Sequence, residues 1–263
     1  MHSLFELRAS LPKNTRLVLE LSGSGIILLL WTALTASGTI SSSLLPSPFA
    51  VLSSFKELHF EDALIRNLFF SVKLNVMGYV EAILISIPLG FMIGLFPLFN
   101  GVLSRYIDAV RFLPITALTG LFIAWFGIEN SMKVQFLAFG IIVYLLPVVV
   151  QRVKELDVVY QQTAFTLGAT RWQMIRTVFI PGVLPKLYDD IRVLTAISWT
   201  YIIVAELVNR SGGVGAMIYS AARQSRIDKV FALLLVIVLV GFLQDKLLSW
   251  LDKKLFPFKE AAK

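Results

Sequence analysis

Apolar residues in this chain gather into long unbroken runs separated by polar stretches, with neither the two-residue alternation of a strand nor the stripe of a surface helix. Six runs stand out, at residues 21–37, 68–96, 107–125, 134–150, 187–208 and 230–248. Each is close to the roughly 20 residues a helix needs to cross the hydrocarbon of a bilayer. Lipid offers backbone groups no partners, so such segments must be helical. The pattern predicts an all-α integral membrane protein of about six transmembrane helices. Pro114 and Pro147 interrupt the third and fourth runs, and residues 41–66, with Pro46 and Pro48, read as a mixed loop. Residues 1–20 form a polar leading segment carrying Arg8, Lys13 and Arg16, 21–250 one transmembrane domain and 251–263 a tail. A signal peptide is the alternative for the first run. The long polar lead and the weak small-residue cleavage pattern favour an uncleaved span.

Composition agrees: 57% of the 263 residues are hydrophobic and 16% charged, against roughly 45–50% and 25% in soluble domains. No length remains for a sizeable soluble domain. With no cysteine, a disulfide, a thiolate nucleophile and a Cys-ligated metal site are all excluded. The net charge of +7 does not signal nucleic acid, because the basic residues flank apolar runs. It signals topology. Segments 1–20, 98–111, 151–192 and 246–263 hold sixteen Lys and Arg, and segments 40–66, 127–133 and 207–229 hold seven. The excess places both termini in the cytoplasm. Arg210, Arg223, Arg226 and Lys229 run against it, being many for a translocated loop.

The same topology puts residues 152–186, between spans four and five, on the cytoplasmic side. There the sequence reads as an amphipathic helix-turn-helix. Gly168 suits the left-handed end of one short helix, and Thr170 with Gln173 forms a capping box that starts the next. Trp172, Ile175 and Phe179 fall on one apolar stripe, and a buried glycine turn would make the loop a shaped knob. A lipid-surface helix, with Arg171 and Arg176 on headgroups, is the other reading.

Gln162-Thr163-Ala164, Gly168 and Val178-Phe179-Ile180-Pro181 resemble the EAA loop of ABC importer permeases, with Gln and Thr where the family has Glu and Ala. Further pieces are similar to the nitrate/sulfonate/taurine type of binding-protein-dependent permease. They are Ser71-Val72-Lys73-Leu74 with Gly78, Ile87-Pro88-Leu89-Gly90 and Gly94; Arg111-Phe112-Leu113-Pro114; Ala124-Trp125-Phe126-Gly127; Trp199 with Val204-Ala205-Glu206-Leu207; Ser211-Gly212-Gly213-Val214-Gly215; and Asp245-Lys246-Leu247-Leu248. The resemblance covers roughly residues 65–256. It implies a cytoplasmic EAA-type coupling loop whose Gln162, Thr163, Ala164, Gly168, Ala169, Trp172 and Pro181 meet an ABC ATPase subunit. It implies also an extracytoplasmic substrate-binding protein, a second permease copy in a homodimer, and a multi-pass place in the lipid of a bacterial inner membrane. Its substrates are small anions such as nitrate, bicarbonate, sulfonates and taurine, and in some relatives vitamins or their precursors.

Candidates for the translocation path are Lys73, Glu81, Pro88, Pro114, Trp199 and Glu206. Ionisable groups in a span are costly unless they serve a function or snorkel to an interface. The prolines and glycines of span two either flex or permit close helix packing. Glu206, just before the glycines, is suited to hold that turn by accepting backbone N–H groups. No phosphate-binding lysine motif is present, so ATP and Mg belong to the partner subunit, and no cofactor, metal or catalytic residue is expected here. An intramembrane enzyme lacks candidates, since His2 and His59 lie outside the runs. A passive channel or membrane scaffold is the remaining alternative.

Overall fold

The structure is a computed structural model that describes residues 11–261; Arg8, His2 and the last two residues of the tail lie outside the described residues. Helix α1, Lys13–Ala36, buries none of its residues. It is held at one end, where Trp31 Nε1 donates to the Pro46 carbonyl at 3.0 Å and its ring lies 5.9 Å from Phe231. The stretch expected as a mixed loop contains α2, Pro48–Phe60. Ser47 Oγ accepts from Ala50 N–H at 3.2 Å, and Pro48 occupies the first turn, where a missing N–H costs nothing. With 13 residues it is too short to register as a span.

Helix α3, Leu64–Leu95, contains Pro88. Its 32 residues reach about 48 Å at 1.5 Å per residue. The third run departs most from expectation. Instead of one helix over 107–125, α4 (Pro97–Val110) and the 3₁₀ turn plus α5 (Ile115–Leu118 and Thr119–Phe126) meet at a 92° bend. Pro114 lacks an N–H and disfavours helical backbone before it, and the break falls there. Helix α6, Asn130–Lys154, carries Pro147 without interruption.

The loop helices are α7, Val158–Thr166, and α8, Arg171–Met174. The second is not the separate short helix expected. It continues through a π turn, Ile175–Phe179, into α9, Ile180–Val208, making one 38-residue helix. The wide turn lies immediately before Pro181, whose ring cannot follow a regular turn. Helices α10 (Val214–Arg223), α11 (Ile227–Leu255) and α12 (Phe258–Ala261) complete the chain. Five helices are long and apolar enough to cross a membrane, or six if α4–α5 counts as one bent span.

Helix α6 is the axis of the bundle. Phe136, Leu137, Ile141, Leu145 and Val149 are completely buried along it, between α3 on one side and α9 on the other. Glycines on α3 permit the approach: a Cβ at Gly90 would lie 2.5 Å from Val149 Cβ, and one at Gly94 2.8 Å from Val153 Cβ. A second, smaller core joins α2, α10 and α11 through Val51, Leu58, Val214, Met217 and Leu233.

Candidate functional site

Two features stand at opposite ends of the 38-residue helix, which spans about 57 Å at 1.5 Å per residue. The first is the loop before it. Asp157 caps α7 through Val159 N–H at 2.9 Å. The helix ends in a left-handed Gly168, φ +75°, with Gly168 N–H on Phe165 O at 2.9 Å and Ala169 N–H on Ala164 O at 3.0 Å. This is the double hydrogen bond of a glycine C-cap. The capping box then starts α8: Thr170 N–H reaches Gln173 Oε1 at 2.8 Å and Gln173 N–H reaches Thr170 Oγ1 at 3.3 Å. The N–H groups of Gly168, Ala169, Thr170 and Gln173 are all satisfied within the loop, so the turn keeps its shape through local bonds.

The loop offers its apolar residues outward. Leu167 is 82% exposed and Trp172 68%, beside the exposed Arg171 and Arg176. Gln162, Thr163, Gly168 and Pro181 are exposed, and Ala164 and Ala169 half-buried. The glycine turn expected to be buried is therefore open, with nothing within 4 Å of a Cβ at Gly168, because the turn is the tip of the loop. Of the expected stripe, Trp172 is exposed and Ile175 and Phe179 are half-buried, while Met174 is buried. Behind the loop lies a cleft of about 1130 Å³ lined by Thr163, Ala164, Ala169 and Pro181, and closed on one side by Phe258 of α12.

The second feature is the turn between α9 and α10, residues 209–213. Helix α10 begins at Gly213–Val214–Gly215, whose N–H groups have no intrahelical acceptor. Three side chains take them in order: Asn67 Oδ1 takes Gly213 N–H at 2.9 Å, Ser71 Oγ takes Val214 N–H at 2.8 Å and Glu206 Oε2 takes Gly215 N–H at 2.8 Å. Ser71 Oγ–H in turn donates to Glu206 Oε1 at 2.7 Å. A carboxylate at a helix N-terminus is favoured by the helix dipole. Glu206 is thus placed on the turn, as its position before the glycines suggested. On the opposite side, Lys133 Nζ donates to Ser211 Oγ at 3.0 Å and to the Gly212 carbonyl at 3.2 Å.

The polar positions of α3 form a ladder. Asn67 and Ser71 meet the turn, Asn75 Nδ2 donates to Ser198 Oγ at 3.0 Å, and Tyr79 OH donates to the Ile191 carbonyl. Their four-residue spacing places all four on one face of the helix. That spacing was readable in the sequence and was missed, as was Lys133, counted there as a loop residue but completely buried here.

The path candidates stand in different surroundings. Lys73, Pro88 and Pro114 are exposed and Glu81 is half-buried, accepting from Gln135 Nε2 at 3.0 Å. Trp199 is buried, its Nε1 on Gln244 Oε1 at 2.8 Å. The basic cluster of residues 210–229 is partly neutralised within the chain: Arg226 pairs with Glu57 and Asp228, and Lys229 with Asp62 and Glu57. Those acids, mostly on or just after α2, explain a basic cluster at odds with the charge rule. Hydrogen bonds from Arg226 and then Lys229 hold the Glu57 carboxyl below its usual range. Arg210 instead stacks on Tyr219, 3.6 Å from the ring centroid.

Residues 86–257 match the family described as "Binding-protein-dependent transport system inner membrane component". The chain belongs to this family. It is an ABC permease of the nitrate/sulfonate/taurine type, the membrane-spanning component of an importer. Among its relatives, the taurine transport system permease protein TauC of Escherichia coli is 29% identical, the alignment covering 94% of this chain and 92% of TauC. The bicarbonate transport system permease protein CmpB of Synechococcus elongatus is 25% identical over 90% of this chain and 88% of CmpB. An inward-facing structure of the MetNI methionine ABC transporter shares the permease fold, with TM-score 0.66 at 16% identity, over 73% of this chain and 95% of that one.

Proposed function

We propose that two copies of this permease form the translocation unit of an importer for small anions of the taurine, sulfonate or bicarbonate kind. A binding protein delivers the solute to the α10 end, and ATPase subunits act at the α7–α8 loop. The substrate class rests on the relatives' names. One observation carries the coupling role: a self-capped turn presents Leu167 and Trp172 to solvent and is continuous with the helix that ends at Glu206. A load on the loop therefore reaches the far turn through hydrogen-bonded helix instead of flexible chain. ATP and Mg are held by the partner subunit, and the ATPase grips Gln162, Thr163, Gly168 and Trp172. Both termini then face the cytoplasm, so reporters fused at the C-terminus and after Ser220 belong on opposite sides of the membrane.

The test is reconstitution in liposomes with the ATPase and binding protein, measuring ATP-dependent uptake of labelled taurine, an alkanesulfonate and bicarbonate. Gly168→Asp should insert and accumulate as wild type does, because nothing surrounds the turn, yet lose ATPase association and uptake. Single cysteines at Ala164 and Ala169 should cross-link to the ATPase. Wild-type uptake by Gly168→Asp together with no cross-link at either position would refute the coupling role. Uptake without ATP would favour a passive channel.

A further inference from the structure

Lys133 is among the largest completely buried side chains of the described residues, and nothing in the coupling role uses it. Its ammonium has no carboxylate within ion-pairing distance among the described residues; it lies 5.0 Å from the Phe70 ring centroid and donates only to the neutral Ser211 Oγ and Gly212 O. A lone buried cation at the depth of a span is costly. The one buried acid nearby is Glu206, on the other side of the same turn. The two hold opposite ends of one short segment: Lys133 takes the oxygens of 211–212, and Glu206 takes the N–H of Gly215. Asn209 adds a third hold, its Nδ2 donating to the Glu129 carbonyl at 3.1 Å and its Oδ1 accepting Ser211 N–H at 3.2 Å. Residues 209–215 are thereby fastened to α3 by Asn67 and Ser71, to α6 by Lys133 and to α9 by Glu206. The glycines at 212, 213 and 215 would otherwise make this the most pliable segment of the bundle.

We propose that Lys133 is a positioning residue. By holding Ser211 and Gly212 opposite the Glu206–Gly215 bond it locks the 209–215 turn and α10 to α3, α6 and α9, so that displacement of α9 moves the α10 end as one block and does not flex the glycine turn. The consequence for transport rests on the importer reading above; the lock itself does not.

The cysteine-free chain allows a direct test. Ala216, on α10, is 8% exposed. A single cysteine there should react slowly with a membrane-permeant maleimide, in membranes holding no ATPase, binding protein or solute. Lys133→Met should raise that labelling rate by about tenfold or more, since it removes the donor that holds Ser211 and Gly212. Adding Glu206→Gln to Lys133→Met, which weakens the hold on Gly215 from the other end, should raise it further. A cysteine at Ala164, at the other end of the bundle, should label at the same rate in all three, showing that the fold is otherwise kept. In reconstituted transporter, uptake should fall in the single variant and further in the double one. Unchanged labelling at Ala216 in Lys133→Met overturns the proposal, and so does a double variant that labels no faster than the single one. Wild-type protein without any uptake would sink the importer reading while leaving the labelling result to judge the lock.

Discussion

Alanine substitutions at Gly168 and Gly213 weigh backbone strain against a side-chain network. Both glycines are left-handed, with φ of +75° and +103°, so each variant places a Cβ where L-residues lose on the order of 1–2 kcal/mol. At Gly168 nothing lies within 4 Å of the new atom, and the cost ends there. At Gly213 the Cβ would stand 2.1 Å from Glu206 Oε1 and 2.5 Å from Oε2. The carboxylate must swing away, abandoning Ser71 Oγ–H and Gly215 N–H. Hydrogen bonds to a charged acceptor contribute about 1.5–3 kcal/mol each, so the total at Gly213 comes to roughly 4–8 kcal/mol with the strain included. That is comparable with the whole stability of a domain, about 5–15 kcal/mol. Both variants can be purified in detergent and their helicity followed by circular dichroism through a denaturant series. Gly168→Ala should unfold within about 1–2 kcal/mol of wild type, whereas Gly213→Ala should unfold far earlier or fail to accumulate. Equal stability of the two would refute the placement of the Glu206 carboxylate over the turn.

Three other expectations test different parts of the bundle. Gly90→Ala should destabilise by about 1–3 kcal/mol through overpacking against Val149, and Val149→Ala in the same chain should restore much of that; additive losses in the unfolding assay would mean that α3 and α6 do not touch at this register. Trp199→Phe removes the hydrogen bond to Gln244 and should cost about 0.5–1.5 kcal/mol while leaving the apparent KM for uptake unchanged if Trp199 serves packing alone; an altered KM would refute that and place it on the path. Glu57 is held below its usual range by Arg226 and Lys229. A depressed carboxyl stabilises above the unfolded value of about 4.3 and loses that contribution only as pH falls through the lower folded one. A fluorophore on a cysteine at the exposed Ser53 should therefore report α2 attached from pH 8 to about pH 5 and released only below about pH 4; release already near pH 6 contradicts the tether.

Solvation physics acts on each span separately, and that is why the membrane class, most spans and the self-capped α7–α8 turn were legible in the chain itself. Long apolar runs must become helices wherever they lie in the fold, and Gly168 with the Thr170–Gln173 box closes its hydrogen bonds within a few residues. What needed tertiary structure was everything that depends on residues distant in sequence. A 13-residue helix such as α2 is stabilised by packing against α11, not by its own length. The break at Pro114 and the π turn before Pro181 follow from one residue each, but whether a proline bends a helix, as at Pro114, or is absorbed, as at Pro147, is decided by the neighbours that surround it. Lys133 and Glu206 lie far apart in the chain, and their charges are tolerable only because folding brings both to the 209–215 turn, where Asn67 and Ser71 complete the hydrogen bonding. A buried charge is read from a sequence as an anomaly; only the fold supplies the partner that makes it stable.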